Sequence, residues 1–349
     1  MNISYKKYTL HFNFEAGTSR GVLKTKDSWF ISIHDPLRNR TGLGEVSIIS
    51  GLSLESAEEI EEALAQLKKM PHEVCYDFAN TYKHLPAFCF SLETALRDLA
   101  MSGTRILYQN DFTSGKKSIL INGLVWMGTK EQMYNRVKEK IEQGFSCIKL
   151  KIGVLKFNEE LELISYIRKH YPSRDIEIRV DANGSFAPKD ALNKLKLLSD
   201  FDIHSIEQPI KQGQRDEMAK LCETSPLDIA LDEELIGFHD EASRSELLET
   251  IKPKYIILKP SLIGGVQAAE NWINLAEGLN IGWWITSALE SNIGLNAIAQ
   301  WVAELNPQMP QGLGTGLLYE NNIKSPLVVN GQFLHYVASR NWDFSPIEK

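Results

Sequence analysis

Alternating polar and apolar positions near the amino terminus predict a small antiparallel sheet. The stretches "SYKKYTLHFNF" and "SWFISIHD" alternate as half-buried strands do. Two later stretches, "SLESAEEIEEALAQLKKM" and "SLETALRDLAMSG", have the polar starts and apolar spacing of helices. Between the first strands, "EAGTSRGVLKTKD" is rich in Gly, Ser and Thr, and we expect a mobile loop there. Strands followed by helices indicate an α+β domain.

From about Ser118 the pattern changes to short apolar runs separated by helical stretches, which is typical of βαβ units and a parallel sheet. Eight such units would close a (β/α)₈ barrel. We therefore expect an α/β protein with a barrel at residues 116–320 and an α+β capping domain at residues 1–115. The eight runs are "SILINGLV", "CIKLKIG", "IEIRVDANG", "HSIEQP", "DIALDEE", "YIILKPS", "GWWITSALES" and "GLGTG".

The carboxy-terminal segment carries a hairpin signal. In "PLVVNGQFLHY", Asn330 and Gly331 lie between two apolar runs. We expect this hairpin to pack back on the first domain rather than to extend the barrel. The segment 321–349 would then complete the capping domain.

Composition and charge exclude several classes of protein. A hydrophobic fraction of 43% and a charged fraction of 24% are ordinary for globular chains. The net charge of -7, with lysines and arginines scattered, argues against a nucleic-acid partner. No secretory signal and no run of 18 or more apolar residues is found, so we expect a cytoplasmic protein without a membrane partner. No oligomeric state is predicted.

The four cysteines and eight histidines do not form a metal-binding motif. The cysteines are too far apart for a C-x-x-C pair, and no H-E-x-x-H or H-x-H occurs. We therefore expect reduced cysteines, mostly in the core, and no zinc site.

Five consecutive runs each end on a charged residue where the strand would meet its loop. These residues follow one another at intervals of 25 to 30 residues, close to one strand-plus-helix unit. In a barrel they would converge on the carboxy-terminal rim, where barrel enzymes have their active sites. A single such residue would be explained equally well as a solvated charge, but five in register indicate a site. They are Lys151, Asp181, Glu207, Asp232 and Lys259.

The three carboxylates of this set predict a divalent cation. Brought together without a metal, they would repel one another and raise their pKa values. Oxygen-only ligands select Mg²⁺, Mn²⁺ or Ca²⁺, and Mg²⁺ shares its coordination with substrate oxygens, which leaves room for a substrate carboxylate. Asn183 and Glu233 lie next to two of the carboxylates and could orient them, although ordinary loop hydrogen bonds would explain each one as well.

The lysines predict proton-transfer chemistry. Lys149 and Lys151 are two apart on one strand, so both side chains face the barrel interior. Two neighbouring ammonium groups lower a lysine pKa, and one lysine could then act as a base. Alternatively, both could merely neutralise the carboxylates. Because Lys259 approaches from the opposite side, we expect removal of a proton α to the carboxylate of a small-molecule substrate.

The ordered motifs "KLK", "DAN", "EQP", "DEE" and "LKPSLIGG" resemble the enolase superfamily, in its muconate-lactonizing subgroup. The resemblance covers nearly the whole chain and implies the superfamily's modified TIM barrel with an amino-terminal α+β cap. Within the subgroup, "SALESNIGL", "GLGEVSIISGLS" and "PQGLGTGLLYE" resemble the o-succinylbenzoate synthase family. The family cofactor is Mg²⁺, with Mn²⁺ as a substitute.

The resemblance also implies roles for individual residues. Asp181, Glu207 and Asp232 match the metal ligands, and Lys151 matches the general base that returns its proton to the departing hydroxyl. Lys259 matches the lysine that stabilises the enediolate, and Lys149 would tune Lys151. The implied substrate contacts are Arg179, for which a structural ion pair is an equal alternative, Ser287, Glu290, and Arg20, for which a plain surface arginine is the alternative.

The implied reaction is the Mg²⁺-dependent syn dehydration of 2-succinyl-6-hydroxy-2,4-cyclohexadiene-1-carboxylate to 2-succinylbenzoate, in menaquinone biosynthesis. The alternative on the same scaffold is an N-succinylamino acid racemase or a related epimerase, since two lysines on opposite faces suit a two-base mechanism. Dipeptide epimerases carry Asp-x-Asp on the eighth strand, where this chain has "GLGTG". A third hypothesis, a non-catalytic scaffold, gives no reason to retain both lysines and all three carboxylates.

Overall fold

The computed structural model describes residues 1–18, 21–70 and 77–348. Its amino-terminal part is an antiparallel sheet of order β1-β2-β3 with helices packed on it. Both stretches predicted as strands, and both predicted as helices, are confirmed. The elements are β1 (Asn2–Thr18), β2 (Gly21–Asp35), β3 (Arg40–Ser47), α1 (Ala57–Lys69) and α2 (Pro86–Ala100).

The segment predicted as a mobile loop is mostly strand. β1 and β2 remain paired through Ala16↔Leu23 and Thr18↔Gly21, after a shift of register between His11 and Ala16. Backbone N–H and C=O groups pair in a ladder whatever the side chains are, and this pairing overrides the turn-like composition of the segment. Residues 19 and 20 at its tip lie outside the described part of the chain.

Helix α1 begins where the sequence predicts it because its first turn is capped. The Ser56 hydroxyl accepts a hydrogen bond from Glu59 N at 3.2 Å, and Ser56 N donates to Glu59 Oε2 at 2.8 Å. This reciprocal capping box satisfies two amide groups that have no partner within the helix. The helix then buries Ile60, Leu64 and Leu67 against the sheet.

Two glycines of β3 allow helix α2 to pack directly on the strand. A Cβ atom added at Gly42 would lie 2.0 Å from the Ala95 carbonyl oxygen, and one at Gly44 would lie 2.1 Å from the Ser91 carbonyl oxygen. Both neighbours are backbone atoms of α2 and cannot turn away. The spacing of the two glycines therefore fixes how closely the sheet and the helix approach.

The second part of the chain is the predicted barrel of parallel strands and helices. Its sheet has the order β5 to β11 without crossing over. No helix in the described residues is long and apolar enough to cross a membrane. The strands are β5 (Gly123–Val125), β6 (Cys147–Lys151), β7 (Glu177–Asp181), β8 (Ser205–Glu207), β9 (Ile229–Leu231), β10 (Tyr255–Leu258) and β11 (Gly282–Ile285). The helices are α3 (Lys130–Glu142), α4 (Phe157–His170), α5 (Pro188–Ser199), α6 (Arg215–Thr224), α7 (Glu241–Ile251), α8 (Pro260–Ile263), α9 (Val266–Gly278) and α10 (Asn292–Leu305).

The eighth predicted run closes the barrel with two residues. Gln311 forms a parallel bridge with Ile121, and Gly312 forms one with Thr286. Gln311 N donates to the Leu120 carbonyl at 2.9 Å on one side, and Gly312 N donates to the Ile285 carbonyl at 2.8 Å on the other. The following residues, Gly314–Leu317, form a 3₁₀ helix.

The carboxy-terminal hairpin is confirmed, but its predicted partner is wrong. Strand β12 (Leu327–Asn330) pairs with β13 (Phe333–Tyr336), and β13 pairs with β4 (Ile119–Leu120), not with the amino-terminal sheet. The first predicted barrel run is split, so that its start supplies an unpaired strand edge for β13 while its end becomes β5. Other parts of the tail reach the cap. Asn321 Oδ1 accepts a hydrogen bond from His11 N, and Asn321 Nδ2 donates to the Thr9 carbonyl oxygen. The closing segment ends in α11 (Ser345–Glu348), and its Phe344 packs in one cluster with Phe30.

Two carboxylates of the cap accept hydrogen bonds from the amino termini of barrel helices. Glu45 accepts hydrogen bonds from Ser291 N and Gly294 N, both at 2.9 Å, at the start of α10. Glu93 accepts from Val266 N at 2.6 Å and from Gln267 N at 3.0 Å, at the start of α9. Because helix amino termini carry free N–H groups and partial positive charge, both contacts are favourable. They join the cap to the loops that follow β10 and β11.

We expect Gly44→Ala to lower the free energy of unfolding by about 1–3 kcal/mol, since the new methyl group would overlap backbone atoms of α2. The matched control is Gly278→Ala at the end of α9, where an added Cβ meets no atom within 4 Å. Urea denaturation of the two variants measures the difference. Equal stability of the two variants would contradict the account of β3 packing.

Candidate active site

The five predicted strand-end charges lie on one rim of the barrel. Lys151 is paired in register with Asp181, and Asp181 with Glu207, at the ends of β6, β7 and β8. Asp232 follows β9 directly and Lys259 follows β10. Their side chains touch, since Lys151 Nζ lies 3.3 Å from Asp181 Oδ2 and Lys259 forms an ion pair with Asp232. The structure thus brings together what the spacing predicted to converge.

Lys149 lies at the centre of this group. Its side chain is 10% exposed, its Nζ is 3.1 Å from Asp181 Oδ2, and it also contacts Glu207. Burial alone would lower the pKa of Lys149, but the charges of Asp181, Glu207 and Asp232 outweigh burial and raise it. The pKa of Lys259 is raised in the same way, with Asp232 as the strongest counter-charge. The neighbouring ammonium group of Lys151 therefore does not lower the pKa of Lys149 below its ordinary value, because the three carboxylates dominate.

The carboxylates respond to the same charges in opposite directions. Burial favours the neutral form of Asp181, but Lys149 and Lys151 outweigh it and hold its pKa well below the usual range. The pKa of Glu207 is raised to about 8: burial is the largest cause, repulsion by Asp181 and Asp232 adds to it, and Lys149 opposes both. The second oxygen of Glu207, Oε1, is buried and has no hydrogen-bond partner among the described residues. A buried oxygen without a partner is costly, so this atom is a candidate metal ligand.

The donor set fits a hard divalent cation. Asp181, Glu207 and Asp232 offer only oxygen, and an unpartnered oxygen of Glu207 is available. The described residues contain no group of three acidic, histidine or cysteine side chains arranged to hold a metal ion. The three carboxylates are paired with the ammonium groups of Lys149 and Lys259 instead. The lysines therefore provide the positive charge that a cation would otherwise supply.

Asn183 links Lys151 to Glu233 on the other side of the site. Its Oδ1 accepts a hydrogen bond from Lys151 Nζ at 2.7 Å, and its Nδ2 donates to Glu233 Oε1 at 2.9 Å. Its own backbone N donates to Asp181 Oδ1 at 3.0 Å. The residue adopts φ 44°, a left-handed conformation that asparagine tolerates better than most residues. The side chain of Asn183 thus bonds Lys151 and Glu233, and only its backbone N contacts the predicted ligand Asp181.

Gln208 was missed in the sequence although it follows Glu207 in "EQP". Its Oε1 accepts hydrogen bonds from Asp232 N and Glu234 N, each at 3.2 Å, and its Nε2 donates to Glu234 Oε2 at 3.0 Å. The side chain is fully buried and the backbone is strained at φ 37°. Gln208 therefore positions the loop that carries Asp232. The signal was a polar residue next to a predicted ligand.

Above the charges lies a cavity of about 600 Å³. Its floor includes Lys149, Lys151, Asp181 and Lys259. Trp126, directly after β5, lies next to Lys151, whose Nζ is 5.7 Å from the ring centroid. The cap contributes apolar side chains to the opposite wall: Phe14, Leu23, Ile49 and Leu52. Trp126 was also missed, because a tryptophan next to a buried strand is indistinguishable in sequence from a core residue.

Two predicted substrate contacts belong to different environments. Ser287 lines the cavity, as expected. Glu290 does not, because it is fully buried and accepts hydrogen bonds from Ser261 Oγ, from Ser287 Oγ and from Ala288 N. Its carboxylate is occupied in holding the loop behind Ser287. Glu290 is therefore a support of the cavity wall and not a substrate contact.

Arg179 is also not a substrate contact. Its side chain is 1% exposed, its Nε bonds Glu177 Oε1 at 2.7 Å, and its Nη1 donates to the Pro310 carbonyl at 3.0 Å. The guanidinium lies over the Trp284 ring at 4.4 Å and does not line the cavity. It sits two residues deeper in the barrel than Asp181, so the structural ion pair is the correct alternative. Arg20 lies outside the described residues.

Comparison with known proteins assigns the family. The model of the enolase C-terminal domain-like family matches residues 132–337. An o-succinylbenzoate synthase of Desulfotalea psychrophila is 46% identical over 96% of this chain and 98% of that protein.

Solved structures agree with this assignment. The crystal structure of MenC from Desulfotalea psychrophila LSv54 covers 96% of this chain and 99% of its own, with a TM-score of 0.84 and 43% identity. An o-succinylbenzoate synthase from Thermosynechococcus elongatus BP-1, complexed with Mg in its active site, has a TM-score of 0.73 at 21% identity and covers 89% of this chain and 92% of its own, which supports the fold. The chain therefore belongs to the o-succinylbenzoate synthase family of the enolase superfamily.

Proposed function

We propose that the chain catalyses the Mg²⁺-dependent syn dehydration of 2-succinyl-6-hydroxy-2,4-cyclohexadiene-1-carboxylate to 2-succinylbenzoate, a step of menaquinone biosynthesis. The observation that carries the proposal is the placement of two lysines on opposite sides of three carboxylates, under a cavity. Lys151 contacts Asp181 on one side, and Lys259 contacts Asp232 on the other. The 46% identity to a synthase supports the choice of reaction.

Lys151 acts as the general base. Asn183 and Asp181 hold its Nζ at the cavity floor, where the neutral amine would meet a substrate bound in the cavity. Removal of the proton α to the substrate carboxylate leaves Lys151 as an ammonium group. The same group then protonates the hydroxyl that leaves from the same face, which makes the elimination syn and returns Lys151 to its free-base form.

Lys259 stabilises the negative charge that develops on the substrate carboxylate when the proton is removed. Its side chain is only 13% exposed, and this partial burial strengthens its interaction with a developing anion. Lys149 holds Asp181 and Glu207 in place from between them. Mg²⁺ held by Asp181, Glu207 and Asp232 would add positive charge at the substrate carboxylate.

An N-succinylamino acid racemase would use the same two lysines, one for each face of the α-carbon. This arrangement favours it as the second candidate. The reactions differ in outcome, since the racemase exchanges the α-hydrogen and retains every other substituent. Deuterium exchange into N-succinylamino acids would therefore identify it.

Lys151→Ala should lower kcat by about 10³-fold or more, because one side chain performs both proton transfers. Loss of the diene absorbance of the substrate measures the rate. The matched control is Lys117→Ala, a lysine whose side chain is 63% exposed; it should retain full activity. Absence of conversion by the folded, Mg²⁺-supplied wild type would contradict the synthase assignment, and full activity of Lys151→Ala would contradict the base assignment.

Mg²⁺ should raise the melting temperature, and EDTA should reverse the effect. At a free concentration about 100 times Kd, binding to the folded state alone adds about 2.7 kcal/mol of stability. Asp181→Asn should abolish the shift, whereas Asp175→Asn, at a position 57% exposed before β7, should keep it. Differential scanning calorimetry gives the comparison. The same Mg²⁺ shift in both variants would refute the ligand assignment.

A further inference from the structure

The cavity extends past Trp126 to a cation that the catalytic centre does not use. Arg136, on the second turn of α3, lines the cavity together with Phe14 of the cap. Its side chain is only partly buried. Its Cζ atom lies 5.6 Å from the centroid of the Phe14 ring. The guanidinium group is therefore at the junction of barrel and cap and faces the space that a substrate would enter.

The orientation of Arg136 is fixed from one side. Its Nη1 donates to the carbonyl oxygens of Trp126 and Met127, both at 2.9 Å. These are its hydrogen bonds within the described residues, and both use the same nitrogen. Nε and Nη2 therefore remain as a pair of parallel donors, the arrangement that binds a carboxylate in two places.

Charge balance indicates a ligand for this edge. The substrate proposed above carries two carboxylates, one on the ring and one at the end of the succinyl chain. Among the described cavity residues, the cations outside the catalytic centre are Arg136 and Lys140. Lys140 Nζ donates to Gln143 Oε1 at 3.0 Å and lies over the Phe145 ring at 5.2 Å, so it is already engaged. Glu139 also lines the cavity near Arg136, but its Oε1 accepts a hydrogen bond from Gln143 Nε2 at 2.9 Å and no hydrogen bond joins it to Arg136 among the described residues. Nε and Nη2 of Arg136 are therefore the paired donors that this edge offers to the second carboxylate.

The rings between the two sites suit the methylene groups of the chain. Trp126 lies 5.7 Å from Lys151 Nζ, and the Trp126 and Phe14 ring centroids are 5.6 Å apart. A substrate whose ring sits above Lys151 would pass its apolar chain along Trp126 and Phe14 before reaching Arg136. Apolar contact along the chain and a charged contact at its end would together select for length and for terminal charge.

We propose that Arg136 is a specificity-determining residue that binds the terminal carboxylate of the succinyl chain through Nε and Nη2. This inference rests on the proposed function and deepens it, since it names the group that distinguishes a succinyl substrate from an uncharged acyl analogue. The ring carboxylate and the reacting carbon of the substrate are bound by the lysines and acidic side chains of the catalytic centre.

A binding cycle with two ligands and two proteins tests the proposal. The ligands are 2-succinylbenzoate and 2-butyrylbenzoate, which lacks the terminal carboxylate. The proteins are the wild type and Arg136→Met, titrated calorimetrically with Mg²⁺ present. We expect Arg136→Met to weaken 2-succinylbenzoate by about 10- to 100-fold, the effect of losing hydrogen bonds to a charged group, and 2-butyrylbenzoate by less than about 2-fold.

Two further variants keep the result decisive. Arg136→Lys retains the charge but not the paired donors, so it should give an intermediate loss of affinity for 2-succinylbenzoate. If Arg136→Met does not fold, Arg136→Lys takes its place in the binding cycle. Lys140→Met, on the same helix and the same cavity, should weaken neither ligand. Equal losses of affinity for both ligands, or no loss of affinity for 2-succinylbenzoate, would overturn the role of Arg136. If the wild type still dehydrates its substrate, the proposed function is unaffected by that result. A wild type that neither dehydrates the substrate nor binds 2-succinylbenzoate would overturn both.

Discussion

The ion pairs of Lys149 with Asp181 and Glu207 are the contacts on which the rest of the site depends. An isolated charge in the barrel interior would be strongly unfavourable, so each of these groups is stable there only because the others are present. The parallel register of β6, β7 and β8 brings the three side chains to one level of the barrel. Removing one partner leaves an uncompensated charge, which explains why the site has to be built as a whole.

The cap completes this site by two contacts of a single type. Glu45 and Glu93 each hold the amino terminus of a barrel helix, and these helices follow the loops that carry Ser287 and Lys259. Behind Ser287, the buried carboxylate of Glu290 fixes the hydroxyl. The cavity wall is thus positioned by carboxylates that never face the substrate. Their role is to keep the cap and the catalytic rim in one fixed relation.

The sequence predicted those features that depend on spacing along the chain. Charges 25 to 30 residues apart had to meet at one rim once the units formed a barrel, and Lys151, Asp181, Glu207, Asp232 and Lys259 do meet. The sequence carries no comparable signal for how deep in the barrel a side chain lies. Arg179 shares a strand face with Asp181, yet its depth gives it Glu177 and Trp284 as neighbours instead of the cavity.

Contacts between distant segments were also beyond prediction. The hairpin was evident from Asn330 and Gly331, but its pairing with Leu120 depends on an edge that arises only when the first barrel run divides. Likewise, Ala16–Thr18, in the segment expected as a loop, are strand because Gly21–Leu23 pair with them. In both cases the tertiary partner, and not the local composition, decided the structure.

We infer that the three carboxylates, here paired with lysines, form the site of a divalent cation. Anomalous scattering from crystals of the protein soaked in Mn²⁺ tests this metal site. We expect one strong peak bounded by Asp181, Glu207 and Asp232. A crystal with no peak there, and with Lys149 still paired to Asp181 and Glu207 at saturating Mn²⁺, would overturn the assignment.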